Sequence, residues 1–379
     1  MGSLMVFTIL PLFLTEELHV SHADLGMMEG FAISCAFLAK VYAGIASDRC
    51  QTRKPFIFIG SLICVLTKVL FACAVSPLWI FVTRFLDRLS KGVRSAPTDA
   101  LIADISTPET YGRAYGFRQA LYTAGGATGA FVTVLILHQN PHAYRATFWL
   151  ATIPAAIAVW ISLRLPYGNR TDVAFKHPTM SREPWSWSNL RRFSLSFWVL
   201  LTVCFFLMLA RFSEAFVILR AKQVGWAVEW LPLTIILMDV AHAAVAYFGG
   251  RFSSAYHQKL LVIASFFLFI AADGLLFWGG GVYMLALGIL LNGVHLGLSQ
   301  GTLRALVAQE TPADLNGTAF ALFHGSSGIA VLIGNIIAGK VSHHYGLAWS
   351  FFSGGVFVCV AMVILLQGHR TTNRKNGCI

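Results

Sequence analysis

Arg84-Phe-Leu-Asp87-Arg88-Leu-Ser-Lys91-Gly92-Val-Arg94-Ser-Ala-Pro-Thr-Asp99-Ala-Leu-Ile-Ala-Asp104 continues an apolar run that begins at Leu78. At 100° per residue, Arg84, Asp87, Arg88, Lys91 and Arg94 fall within an arc of roughly 120° on one helix face. Five charges near mid-membrane cost about 12–17 kcal/mol on the insertion scale. The Leu, Ile, Val and Phe residues between Leu78 and Ile102 return only about 3–6 kcal/mol. Such a helix cannot stand alone in lipid. It requires other helices that enclose a polar interior.

The rest of the chain supplies them. Of 379 residues, 56% are hydrophobic and 12% charged, where a soluble protein carries about 25% charged. The fold class is an all-α polytopic membrane protein. Apolar runs place spans at about 1–17, 24–47, 55–75, 77–102, 111–137, 145–165, 193–219, 227–249, 258–278, 281–308, 315–340 and 347–367. The first is short, and twelve helices are expected in all.

The net charge of +11 would suggest nucleic acid in a soluble chain, but no basic run is interleaved with aromatics outside the spans. With both termini cytoplasmic, one side holds Arg49, Arg53, Lys54, Arg113, Arg164, Arg170, Lys176, Arg182, Arg191, Arg192, Arg251, Lys259, Arg370, Arg374 and Lys375, which is 15. The other holds Arg145, Arg220, Lys222 and Lys340, which is 4. The positive-inside rule selects this orientation. The seven cysteines show no paired spacing, so no disulfide framework is expected. The opening residues lack the basic n-region of a cleavable signal peptide.

One long polar interval, 166–192, splits the spans six and six. It gives an N-terminal bundle (1–165), a cytoplasmic linker, a C-terminal bundle (193–367) and a cytoplasmic tail (368–379). The halves repeat. Ala100-Leu-Ile-Ala-Asp104 recurs 205 positions later as Ala305-Leu-Val-Ala-Gln309. Thr107-Pro-Glu-Thr-Tyr-Gly-Arg113-Ala-Tyr115 recurs as Thr311-Pro-Ala-Asp-Leu-Asn316-Gly-Thr-Ala-Phe320. Two parallel six-helix repeats are the signature of an alternating-access transporter with its site at mid-membrane between them.

Four stretches carry a resemblance to a known family, the major facilitator superfamily. Gly44-Ile-Ala-Ser-Asp48-Arg49-Cys-Gln51-Thr52-Arg53-Lys54 resembles its loop motif between helices 2 and 3. Arg88-Leu-Ser-Lys91-Gly92 matches the helix-4 motif of a buried Arg followed four residues later by Gly. The whole Asp87–Asp104 stretch is similar to the helix-4 pattern of one prokaryotic subgroup. Phe212-Ser-Glu214-Ala-Phe-Val-Ile-Leu-Arg220-Ala221 and Asn316-Gly-Thr-Ala-Phe-Ala-Leu-Phe323 resemble its helices 7 and 11. The subgroup's helix-1 acid is absent near Ser3-Leu4-Met5. Gln119 and Tyr122 stand where Arg and Asp are usual in helix 5. The resemblance implies two six-helix bundles and a bacterial inner-membrane location. It favours efflux of drug- or siderophore-like compounds slightly over uptake.

Intramembrane ionisable residues default to a functional reading because desolvation is too costly to keep without use. Arg84, Asp87, Arg88 and Lys91 are the first candidates for substrate binding or coupling. Their excess of positive charge suits an anionic or zwitterionic organic solute. The competing reading is a structural network in which Asp87 pairs with Arg84 or Lys91. Arg211 and Glu214, three apart on helix 7, are either a mutual ion pair or a site with a protonatable Glu214. Asp239 and His242 on helix 8 could relay protons, the candidate coupling ion. They lack the further ligands a metal needs. Arg118, His295 and His324 lie on helices that line the family's central cavity. Gly44, Asp48, Arg49 and Arg53 are read as a gate, with Arg94 near the same end. No role follows for Lys68 or Asp273, which fall on helices 3 and 9.

No nucleophile–base constellation, phosphate loop or CxxC is present, so neither an enzyme, an ATP-driven pump nor a cofactor is expected. The expected partners are a small-molecule substrate and the bilayer, with the chain acting as a monomer. A non-transporting receptor or assembly factor of the same fold remains the alternative.

Overall fold

The computed structural model describes residues 1–50, 52–105, 111–165, 187–249, 255–311 and 315–376; some side chains at helix ends, including Asp48 and Arg49, lie outside that description. The linker expectation therefore falls largely outside the described residues. Among the described residues the chain forms twelve helices, some of them interrupted. In the first half they are α1 (Gly2–Leu12, continued by a π-helical turn Phe13–Glu17), α2 (His22–Arg49), α3 (Lys54–Ala72), α4 (Pro77–Ile105), α5 (Tyr111–Gln139) and α6 (Tyr144–Leu150 then Thr152–Arg164). The second half has α7 (Leu195–Ala210 then Ala215–Gln223), α8 (Leu233–Gly249), α9 (Ala255–Trp278), α10 (Val282–Gln309), α11 (Asn316–Tyr345) and α12 (Leu347–Asn376). Helix α12 runs into the stretch expected to be a tail. Among the described residues, ten helices are long and apolar enough to cross a membrane. The two that fall short are α1, which is too short, and α4, which is too charged.

Pro11 lies just before the π-helical turn. Proline has no N–H to donate and crowds the preceding turn, and Thr15 Oγ1 donates to the Pro11 carbonyl at 2.9 Å. Helix α7 departs from the expected single span. It breaks over 211–214 without Gly or Pro. Tertiary contacts hold the break open: the Ser213 N–H donates to Asn335 Oδ1 of α11 at 2.8 Å. The Ala215 N–H is taken by Ser213 Oγ at 3.2 Å, which starts the second half-helix.

Within each half the helices pack as a bundle: α2 on α4 and α4 on α3 in the first, α8 on α10, α10 on α9 and α12 on α7 in the second. Between halves, α2 packs along α11 and α5 along α8. The α2–α11 contact continues along both helices to Ser34, which donates to the Gly328 carbonyl at 2.7 Å, and further inter-bundle contacts lie at one end. Ser342 meets His22, His138 meets Glu229 at 3.3 Å, and Lys222 pairs with Glu16. The close approach of α2 and α11 depends on missing side chains. A Cβ on Gly26 would lie 2.4 Å from the Asn335 carbonyl oxygen and 2.8 Å from the Gly339 Cα. Gly26→Val is therefore expected to prise the bundles apart at this end and cost about 1–3 kcal/mol. A lowered unfolding midpoint in detergent would show it, and an unchanged midpoint would refute the tight seam.

Candidate functional site

Helix α4 solves its insertion problem by burying its charges against other bundle members. Arg84 is 1% exposed. Its Nε and Nη2 donate to the two carboxylate oxygens of Glu29 on α2, at 2.7 and 3.0 Å. Asp87 is held chiefly by Lys68 of α3 at 2.5 Å, with Arg84 further off at 3.6 Å. The sequence alternative of an Asp87 pair within α4 is thus present only as the weaker contact. The strong partners come from α2 and α3. Two-pronged guanidinium–carboxylate contacts combine charge with fixed geometry, which lets a desolvated pair persist.

The face of α1 covers the arginines. The Phe7 ring lies 4.9 Å from the Arg84 guanidinium carbon and 5.1 Å from that of Arg88, a cation–π arrangement. Glu29 also crosses between bundles, because Ser213 Oγ at the α7 break donates to it at 3.2 Å. Arg88 is less satisfied than Arg84. Its nearest Glu29 contact is 3.7 Å, and its buried Nε has no hydrogen-bond partner. Lys91 reaches Tyr122 Oη at 3.3 Å on α5. Gly92 lets α2 approach, since a Cβ there would lie 2.7 Å from the Ala36 carbonyl oxygen.

A cavity of about 430 Å³ lies between the bundles, and Arg84, Asp87, Arg88, Lys91, Glu214, Asp239 and His324 all line it. Its size falls within the range usual for small-molecule sites. It lies beside the α2–α11 seam, lined there by Phe37 and His324, and extends to Gln300 and Arg304 of α10. The contacts of Glu16, His22 and His138 with the second half close the end where those residues lie.

Other sequence candidates lie elsewhere. Arg211 lines the cavity at the α7 break, but its guanidinium turns to α10, bonding His295 Nε2 and Ser299 Oγ rather than Glu214. His295 is fully buried, stacks on Phe269 at 4.2 Å and meets the Ser265 carbonyl at 2.8 Å. These contacts fix Arg211 rather than face the cavity. Asp239 lines the cavity while His242 does not. The His242 carbonyl packs against Gly297, where a Cβ would be 2.8 Å away. Arg118 pairs with Asp99 at 2.6 Å, which ties α5 to the end of α4 outside the cavity. His324 has a buried Nδ1 without a partner.

At the gate motif, Arg53 donates to Ser47 Oγ at 2.8 Å and Gly44 faces Ala96. The side chains of Asp48 and Arg49 are outside the described residues. Arg94 packs its stem on Gly60 of α3, where a Cβ would sit 2.9 Å from its own Cβ. Among the described residues no group of three or more His, Cys, Asp or Glu could hold a metal.

Three residues of this site escaped the sequence reading. Glu29 is an acid buried within an otherwise apolar stretch of α2, and that alone marks it as an intramembrane charge. Lys68 and Asp273 carried the same signal, but their placement on outer helices gave them no partner. Asp273 is 3% exposed and lines the cavity.

Two six-helix bundles around a central cavity, with buried charge at mid-depth, define a secondary transporter of the alternating-access type. The chain belongs to the Major Facilitator Superfamily, whose family model matches residues 1–240 and 216–377; it is a membrane transporter and not an enzyme. An uncharacterised MFS-type transporter of Methanocaldococcus jannaschii is 25% identical over 379 residues, covering 97% of this chain and 91% of that protein. The inner membrane transport protein YajR of Escherichia coli is 22% identical over 369 residues, 95% of this chain and 79% of YajR. Among solved structures, a bacterial homologue of the human lysosomal transporter Spinster in an inward-facing, unoccupied conformation has the same fold. Its TM-score is 0.76 at 16% identity, with 98% of this chain and 94% of that one covered.

Proposed function

We infer that this transporter carries a small organic solute with an anionic group, which binds Arg88 and Lys91 in the cavity between the bundles. The observation behind this reading is the inequality among the α4 cations. Glu29 saturates Arg84 and Asp87 saturates Lys68. Arg88 keeps a buried Nε with no partner, on a wall that the solute must pass. Buried donors left unsatisfied are rare and costly, and a carboxylate or similar anion would complete this one.

The 15-to-4 charge asymmetry supports cytoplasmic termini in a bacterial inner membrane, which makes the cavity inward-facing. The two bundles then rock about the site. Protonation of Glu214 or Asp239, both on the C-terminal wall, couples the cycle to the proton gradient. Efflux of drug- or siderophore-like compounds is the favoured direction.

The test is flux of radiolabelled organic carboxylates through proteoliposomes. Protein-dependent flux is expected, with Lys91→Met weakening apparent affinity about tenfold and Lys91→Arg retaining most of it. Carboxylate flux indifferent to Lys91→Met would remove that lysine from the site.

A further inference from the structure

Among the described residues, Asp273 is a buried carboxylate without a cation partner. It sits on α9 with Oδ2 buried and without a hydrogen-bond partner. Among the described residues no cation lies within 4.0 Å of it. Arg211, at the α7 break on the same cavity, turns its guanidinium to His295 and Ser299 instead. An unpaired buried carboxylate is expensive unless it takes up a proton or a positive group joins it.

The surroundings say which kind of group fits. At Gly354 of α12, a Cβ would lie 2.6 Å from Asp273 Oδ2, 3.3 Å from the Phe212 ring and 3.5 Å from the Ala210 carbonyl oxygen. The carboxylate therefore lies close to the Phe212 ring and to the carbonyl end of the first α7 half-helix. The Phe351 ring closes against Phe212 at 5.4 Å, and both rings line the cavity with Asp273. Each feature favours a cation. Aromatic faces attract ammonium groups, and a helix C-terminus carries partial negative charge. A calcium or magnesium ion would need about six oxygen ligands, and among the described residues no cluster of three or more His, Cys, Asp or Glu supplies them. With no side chain at Gly354, α12 packs directly against the Asp273 carboxylate, and the room for a ligand lies on the cavity side that Asp273, Phe212 and Phe351 line.

We propose that Asp273, Phe212 and Phe351 form a binding pocket for an alkylammonium group, so that the transported solute is bipolar. Its anionic end lies on Arg88 and Lys91 of the N-terminal bundle and its ammonium end on the C-terminal bundle. The proposal rests on the anion reading above for the other end of the solute. Such a solute bridges the two bundles with opposite charges, and Glu214 lines the same cavity from the C-terminal bundle.

The probes are two series of equal chain length, straight-chain ω-amino carboxylates and straight-chain monocarboxylates. They are titrated onto the reconstituted full chain and followed by tryptophan fluorescence. At one chain length the amino acid should bind at least about tenfold more tightly than its monocarboxylate. Asp273→Asn should erase that advantage and leave monocarboxylate affinity unchanged, which also shows that the variant folds. Gly354→Ala should reduce the advantage by crowding Oδ2. Equal binding of the two series at every length overturns the proposal. So does an Asp273→Asn protein that keeps the ammonium preference and loses only its response to a pH gradient, which would make Asp273 a proton site. Failure of the anion reading looks different: Arg88→Ala leaves monocarboxylate binding intact while Asp273→Asn still removes the ammonium preference. If neither series binds, both readings fall.

Discussion

Glu29→Gln is expected to destabilise the folded transporter by about 3–5 kcal/mol. The substitution removes the carboxylate charge that meets Arg84 at 2.7 and 3.0 Å and leaves a guanidinium 1% exposed inside the bundle. Asp87 cannot take over fully, because Lys68 already holds it at 2.5 Å. The loss should appear as a lowered unfolding midpoint in detergent. A second variant, Glu29→Gln with Arg84→Met, deletes both charges and should recover most of the loss, since a buried pair replaced by apolar groups is often neutral. Ser213→Ala, which cuts only the link to the α7 break, should cost about 1 kcal/mol. A Glu29→Gln protein that melts like the parent would show that the pair is not what holds α4 in place.

Arg88→Ala should act on binding with a much smaller effect on folding. Arg88 contacts Glu29 only at 3.7 Å, so little structural pairing is lost. A charged hydrogen bond to the solute is worth about 1.5–3 kcal/mol, which is roughly a 10- to 100-fold loss of affinity. Arg88→Lys should restore only part, because an ammonium cannot match a carboxylate with two parallel donors. Equilibrium binding and counterflow in proteoliposomes read the effect directly. Arg88→Ala with parental affinity for every carboxylate would move the anion site off α4. Arg84→Ala makes the contrast: its first symptom should be instability, because its two donors are already committed to Glu29.

The difference between these two arginines, four residues apart on one helix face, could not be read from the helix itself. Their common face, their excess positive charge and the impossibility of exposing them to lipid all follow from spacing and composition. Which of them is satisfied depends on a carboxylate 55 residues away. Helix α7 makes the same point. Its sequence over 211–214 contains neither Gly nor Pro, and periodicity reads it as one span. The break exists because Asn335 accepts the Ser213 N–H and because α10 holds the Arg211 side chain. Asp273 had a visible charge and an invisible setting. Only the packing of α9 and α12 beside that break puts its carboxylate against the cavity.

The sequence by itself determined a membrane protein of twelve helices in two repeated halves, with α4 as the charged element the others must enclose. These are consequences of apolar length, internal similarity and the cost of charge in hydrocarbon, all carried locally along the chain. The tertiary structure decided which charges neutralise each other, where α7 opens, and where the bundles meet. Those outcomes depend on distances between side chains far apart in sequence, and at a few ångströms in a medium with little water such distances set whether a charge is a strut or a binding site.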